Sequence, residues 1–441
     1  MNELIVFFKD IAERFISGDF TWLEVMQLYI PFVLFLEAPL YAFVLLGIGI
    51  YIYQKNTRNI PYIYPKVSCI VTCYNEGQAV EKTIITLCEQ IYPGEIEILL
   101  FVDGAIINQE TLNAANAMQE KMGIYRQRQL FVYPKWQRGG RVSSLNSGLA
   151  LASGSIVMSL DGDTSFDNDM VIHAVRHFAD PNVIAVSGAL RVRNAMHNLV
   201  TRFQGLEYLI SIHAARAGLS VFNQVNNISG AFGVFRTEYL RAIGGWDSGT
   251  AEDLDVTLRI NSYFGRNDQL RIVFEPYAIG HTDAPESWRV LFRQRMRWDG
   301  DLVYIYLRKH LAAFTFRQMG VIPTLFRMLS GLMFGITMPI LIISYLAWMA
   351  FTIPLAQTAI IFFIAWVFYT LVTLAFYLSF LFFISERPKL DLKYLPLVPL
   401  FTIYTMLIRI VNAYAVIWSL VAKSHLDSGM APWWVLRKGK F

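Results

Sequence analysis

The sequence predicts an α/β domain with a mostly parallel sheet, joined to a helical transmembrane region that carries interfacial amphipathic helices. Three observations predict it. Between residues 67 and 160, strand-type apolar runs alternate with helix-length segments, which implies parallel strands with right-handed crossovers. Outside that region, several apolar stretches are long enough to cross a hydrocarbon core of ~30 Å. Finally, a composition of 55% hydrophobic, 15% aromatic and 16% charged residues over 441 positions, with a mean hydropathy of +0.40, is that of a membrane protein with a soluble part.

Taken in order, residues 1–22 mix Phe, Ile and Val with charges at helical spacing and read as interfacial. Leu28 to Tyr53 is the first span, and its Glu37 is costly in lipid, so it calls for a polar partner or a lumen-facing position. The stretch lacks an early basic region and a small-residue cleavage site, which makes it an anchor and not a removable signal. The flank from Gln54 to Arg58 is basic and places the following domain in the cytosol. Strands are expected from Val67, at 96–102, 129–133 and 156–160, with helices at 77–90, 111–122 and 141–152 between them. Further strands are expected at 183–188 and 272–274. Ser229 to Arg236 is a small-residue stretch where backbone can approach a ligand.

The segment 285–310 sets Arg289, Arg293, Arg295, Arg297 and Arg308 among Trp, Phe, Leu and Met, and reads as an interfacial helix. Spans follow at 325–351 and 355–384, and Arg387, Lys389 and Lys393 mark a cytoplasmic turn. Residues 395–421 carry Arg409 and Asn412 on one helical face. If they span, the basic tail lies outside; if they lie in the interface, which is the expectation, it stays cytosolic. The domain division is therefore 1–60, 61–284, 285–320, 321–424 and 425–441.

The chemistry starts at the apolar strand 156–160, which runs into Asp161-Gly162-Asp163. Two carboxylates at a strand tip, with a glycine that lets phosphate approach, suit Mg²⁺ or Mn²⁺ completed by substrate phosphates. Asn75-Glu76 and Asp103 fall at the ends of two other strands, where ligands of parallel sheets bind. A net charge of +4 without a basic-aromatic stripe argues against nucleic acid. Cys69, Cys73 and Cys88 lack metal-ligand spacing with histidines and fit a reducing compartment. His281 is expected to be a hydrogen-bonding residue with no assigned role.

Tyr74-Asn75-Glu76, Val102-Asp103-Gly104, Asp161-Gly162-Asp163, Glu252-Asp253 and Gln294-Arg295-Met296-Arg297-Trp298 resemble, in order and spacing, the motifs of the processive family-2 glycosyltransferases. That group includes hyaluronan, chitin, cellulose and poly-N-acetylglucosamine synthases. The resemblance covers residues 67–310 by motif and implies a cytosolic GT-A-type nucleotide-sugar transferase domain. It implies that Tyr74, Asn75 and Glu76 receive uridine, that Asp103 lies beside the nucleotide, and that Asp163 binds metal with Asp161 turned to the metal or the nucleotide. Asp253 would be the general base, with Glu252 and Asp255 raising its pKa, and Gln294, Arg297 and Trp298 would hold the acceptor and diphosphate. Lys135, Arg138 and Arg141 stand where relatives carry a lysine-rich nucleotide loop, and arginine there departs from the pattern. Many relatives also have paired aspartates where this chain has Val102-Asp103.

The implied activity is an inverting, metal-dependent polysaccharide synthase that extends a β-linked chain from a UDP-sugar, with UDP-N-acetylglucosamine favoured and UDP-glucose next. The growing polymer and membrane lipids would be its partners, and a multi-pass plasma membrane location its setting. So few spans form a narrow passage, so export calls for an accessory subunit or a homo-oligomer. The alternative is a non-processive enzyme that glycosylates a lipid.

Overall fold

The structure is a computed structural model that describes residues 35, 37–57, 59–247 and 249–422. The expected interfacial segment 1–22 and the tail 425–441 lie outside the described residues.

The chain enters through helix α1 (Ala38–Thr57). It then alternates β1 (Val67–Cys73), α2 (Ala79–Cys88), β2 (Ile96–Asp103), α3 (Gln109–Glu120), β3 (Arg128–Lys135), α4 (Arg141–Leu151) and β4 (Ile156–Asp161). These match the expected elements to within a few residues, because β1 and β2 are buried at every position and are mostly apolar. The second half adds β5 (Ser165–Phe166), α5 (Met170–Val175), β6 (Val183–Val192), α6 (Leu199–Tyr208), α7 (Ala215–Val221), β7 (Phe232–Arg236), α8 (Thr237–Ala242), α9 (Glu252–Asn261) and β8 (Arg271–Thr282). Within the small-residue stretch Ser229 to Arg236, the chain is a strand from Phe232 on.

All eight strands form one sheet in the order β3-β2-β1-β4-β7-β6-β8-β5. It is mostly parallel, and β7 is inserted antiparallel between β4 and β6. Register decides where the chemistry lands. Thr72 pairs with Asp161 and Cys73 with Val102, so the carboxyl ends of β1, β2 and β4 open on one edge. Because β7 runs the other way, Leu160 pairs with Phe232, and the loop entering β7 arrives at that same edge.

The amphipathic segment becomes α10 (Trp288–Val303), capped at its start by the Ser287 hydroxyl. Three long apolar helices follow: α11 (Val321–Thr352), α12 (Leu355–Phe383) and α13 (Val398–Ala422). With α1, the described residues hold four helices long and apolar enough to cross a membrane. The described part of the first runs from Ala38 to Thr57, four residues past the expected end at Tyr53, and residues 28–34 of the expected span lie outside the described residues. α13 is one continuous helix, and its polar residues are paired. Arg409 lies 3.6 Å from Glu37, and the Asn412 amide is turned to donate to Asp299 at 2.6 Å. Glu37, 3% exposed, also accepts from the Tyr369 hydroxyl at 2.7 Å, which supplies the partner its position demands.

Candidate active site

Five elements converge on the open edge of the sheet. Asp161 ends β4, and its carboxylate is gripped by Arg141, the first residue of α4. The same guanidinium donates to Glu252 at 2.6 Å, to the Thr72 hydroxyl at 2.8 Å and to the Gly230 carbonyl at 2.6 Å. Arg141 therefore bridges β1, β4, the β7 entry loop and the start of α9. Burial raises the Glu252 pKa, and the Arg141 charge opposes it.

Asp253 sits one residue further along α9. Its carboxylate accepts from the Asn227 amide at 2.9 Å, from the Gly230 N–H at 3.1 Å and from the Leu254 N–H at 2.7 Å. A side chain on Gly230 would press on both acids, at 3.3 Å from Glu252 and 3.4 Å from Asp253. The small-residue expectation is right for that position, although the neighbour it makes room for is this acidic pair.

Asp255 corrects a further expectation. It points away into a basic nest of His310 at 2.7 Å, Lys309 at 2.9 Å and Arg259 at 3.0 Å. Burial alone would raise its pKa, but these three overcome it and hold the carboxyl down at about 2. Asp255 is thus a compensated anchor for α9.

Asp163 is exposed at the cleft mouth, with the Thr164 hydroxyl at 3.3 Å from its carboxylate. Arg193 holds its backbone carbonyl at 3.1 Å. Nearby, Glu76 Oε2 has no hydrogen-bond partner among the described residues. Burial, together with the charges of Asp163 and Asp161, pushes the Glu76 pKa up to about 7. Among the described residues no three His, Cys, Asp or Glu side chains gather as a ready cation site. The free oxygen of Glu76 and the outward Asp163 nevertheless fit a cation whose shell substrate phosphates complete. Gly162 has another reason than phosphate approach: a Cβ there would collide with the Cys73 sulfur.

Asp103, expected beside the nucleotide, is engaged by the loop that follows β3. Both its oxygens are taken by the Gly139 and Gly140 N–H groups, at 2.8 Å each, and Lys135 lies at 3.5 Å. It shapes the loop that delivers Arg141. Arg138, from that loop, stacks over the Tyr74 ring at 4.0 Å, and Asn75 is held in the left-handed region at φ 70°. These three form the exposed lip beside Glu76.

On α10, the Gln294 Oε1 is buried without a partner among the described residues. Trp298 is partly exposed, with Arg295 over its ring at 5.0 Å. Arg295 in turn binds Glu207 at 2.7 Å, and the Arg297 charge acts on Asp301, whose carboxylate accepts from Thr250 just before Glu252. His281 binds Asp167 at 2.9 Å, a structural contact as expected. Cys69, Cys73 and Cys88 are free and buried.

Arg141, Gly230 and Asn227 are the site residues that motif reasoning undervalued or missed. The arginine was visible as the substituted position of a basic loop. Asn227 has no signal in sequence beyond lying near Gly230.

A family profile described as "Glycosyltransferase like family 2" matches residues 65–300. A probable glycosyltransferase, YdaM, of Bacillus subtilis is 29% identical over 65% of this chain and 68% of its own length. A poly-beta-1,6-N-acetyl-D-glucosamine synthase of Staphylococcus epidermidis is 27% identical over 65% of each chain. The synthase of that name from Staphylococcus aureus strain COL is 29% identical over 56% of this chain and 60% of its own length. The chain thus spans about two thirds of these relatives or less. Among solved structures, a mannosyltransferase from Pyrobaculum calidifontis, in complex with GDP-mannose and Mn²⁺, superposes with a TM-score of 0.51. At 19% identity over 86% of this chain and 99% of the other, that likeness shows the fold alone.

Proposed function

The chain belongs to glycosyltransferase family 2, and on that premise we propose that it is an inverting synthase that uses a UDP-sugar to extend a β-linked polysaccharide at the membrane. N-Acetylglucosamine is the favoured sugar and glucose the next. The observation that carries the proposal is the junction at Gly230. There its carbonyl binds the arginine that holds Asp161, and its N–H binds Asp253, so donor-side and acceptor-side acids are fixed to one residue.

In this mechanism Tyr74, Asn75 and Arg138 form the lip against which the nucleoside packs. Mg²⁺ or Mn²⁺ held by Asp163 and Asp161, beside Glu76, would neutralise the leaving diphosphate. Asp253 takes the proton from the acceptor hydroxyl as that oxygen attacks the anomeric carbon from the face opposite the diphosphate. Asn227 and the Gly230 N–H aim the carboxylate. Gln294, with its unpaired oxygen, and Trp298, with its exposed indole face, are the acceptor end. Asp103 acts through the Gly139-Gly140 loop and not by contact with the nucleotide. The cytosolic setting is supported by contacts of Lys55 with Tyr277 and of Arg387 with Asp167, which put the basic flank and the basic turn on the catalytic side.

The test is UDP release by the purified protein with Mg²⁺ or Mn²⁺ across a panel of single UDP-sugars, beside Asp253→Asn. Release with one donor, a high-mass product and loss in the variant are expected. Release with only a chloroform-extractable product would identify the non-processive, lipid-directed alternative. No release with any UDP-sugar alone or paired would overturn the choice of donor.

A further inference from the structure

A chamber of about 720 Å³ lies between the four long helices and the underside of the catalytic domain. Its wall is overwhelmingly apolar: Val44 of α1, Phe326 and Leu346 of α11, Ile361 and Ala365 of α12, and Phe401 of α13 represent it. The volume is that of a pocket for a mid-sized organic ligand. The charged groups on the wall are already committed. Arg409 faces Glu37, and Glu207 accepts from Arg295 and Tyr404.

One end of this chamber reaches the chemistry. Asn226 lines it, and Asn227, the next residue, donates to Asp253. The link is rigid, because Arg327, 1% exposed at the start of α11, holds the carbonyls of Asn226 at 2.8 Å and Val225 at 2.6 Å. An apolar chamber among long apolar helices thus ends one residue and one hydrogen bond from the carboxylate placed to deprotonate an acceptor.

A polysaccharide does not suit such a wall. Each hydroxyl buried without a partner costs about 1–3 kcal/mol, and every sugar unit carries several. A hydrocarbon chain has no such penalty and is favoured by roughly 25 cal/mol per Å² removed from water.

We propose that this chamber binds the hydrocarbon chain of a membrane lipid whose polar end, presented at Asn226, is the acceptor of the first sugar. The lipid's nucleophilic oxygen attacks the anomeric carbon, the bond from that carbon to the nucleoside diphosphate breaks, and a hydroxyl head group gives its proton to Asp253. The step rests on the transferase chemistry proposed above, whereas the chamber rests on the packing alone. The chemistry shared by the two sources of such a lipid is a long chain ending in a hydroxyl, as in diacylglycerol, or in a phosphate, as in a polyisoprenyl phosphate.

The full chain is reconstituted in vesicles that contain a photoactivatable diacylglycerol or a photoactivatable polyisoprenyl phosphate, and crosslinked peptides are mapped by mass spectrometry. Labelled donor is then added, and label is followed into chloroform-extractable lipid at early times. Ala365→Trp and Leu346→Trp fill the chamber, and Leu371→Trp, on an exposed face of α12, is the control. Melting curves and UDP binding confirm that each variant is folded.

Crosslinks on α11 to α13 and early lipid-bound sugar, both reduced at least tenfold in the filling variants and unchanged in the control, are expected. The probe that labels names the head group. Crosslinks that ignore the filling variants overturn the chamber. Polymer that carries no lipid at any time, made equally well by the filling variants, overturns the acceptor role. Photolabelling needs no donor, so it reports on the chamber even if no UDP-sugar is turned over.

Discussion

Arg141 carries the charge balance of the cleft. Its side chain is mostly buried and faces two carboxylates, Asp161 and Glu252, that would otherwise repel each other across the site. Arg141→Ala leaves both acids without their counter-ion and is expected to cost about 3–5 kcal/mol of stability, read as a lowered melting temperature. Arg141→Lys keeps the charge but loses the fork. It is expected to fold and to lose most of its turnover, since one ammonium cannot serve Glu252, Thr72 and Gly230 together. Asp253→Asn removes the proton acceptor while keeping the Asn227 and Gly230 contacts in reach. Its kcat should fall by roughly 10²–10⁴ with UDP binding unchanged, as measured by calorimetry. Trp298→Ala should weaken acceptor use roughly three- to tenfold in KM and leave the donor constant alone.

At this scale the sequence was a good guide to which acids gather at the open edge of the sheet and a poor guide to what each one faces. Asp161 and Asp163 stood out because motif and strand end coincide, and Asp253 by its motif alone. The role of Arg141 did not, because Glu252 lies 111 residues and Gly230 89 residues away along the chain. Asp255 was misread for the same reason. Its neutralising His310 is 55 residues distant, and spacing on the helix alone pairs it with the catalytic acids.

Among the elements, α10 joins the long apolar helices to the start of α9. Asp301, 5% exposed, accepts from Thr250 just ahead of α9, and burial pushes its pKa up to about 7. An unfolded aspartate releases its proton near 4. Between those values the folded state holds the extra proton, so this group's stabilising contribution is full in acid and is lost as pH rises through about 7. Asp301→Asn keeps a neutral acceptor for Thr250. The melting temperature of the variant should therefore gain on the wild type from pH 5 to pH 8, by on the order of 2 kcal/mol in stability. A constant difference across that range would show that Asp301 stays ionised.

The parallel half of the sheet was legible because β1, β2 and β4 are mostly apolar, strand-length runs separated by helices. β7 was not. Its five residues include Gly233, and the run leading into it, Ser229-Gly230-Ala231, carries a loop signature. It becomes a strand because β4 and β6 leave a place between them where Phe232 fits against Gly188, a tertiary cause with no local trace.

Across the whole molecule, the membrane helices and the sheet are locked by buried charge. Arg191 of β6 makes a two-pronged contact with Asp391, 2.8 Å on each side, and Asp391 is fully buried. Asp391→Ala leaves Arg191 its contact with Glu386 at 2.5 Å but frees two buried N–H donors, and should cost about 1–3 kcal/mol, seen as early loss of detergent-solubilised protein on heating. Apolar length made the spans legible in the sequence. This lock was not, since its partners are 200 residues apart.

That separation bears on how the protein is made. A ribosome that adds ~5–20 residues per second needs roughly 10–40 s to travel from Arg191 to Asp391. During that interval the nascent sheet carries an arginine with its counter-ion still unsynthesised. Glu207 likewise waits for Tyr404. The catalytic half therefore cannot finish folding as it emerges, and its last native contacts are set by the delivery of the final helices. Completion of the transferase fold is in this sense timed by the synthesis of its last helices and not by its own sheet.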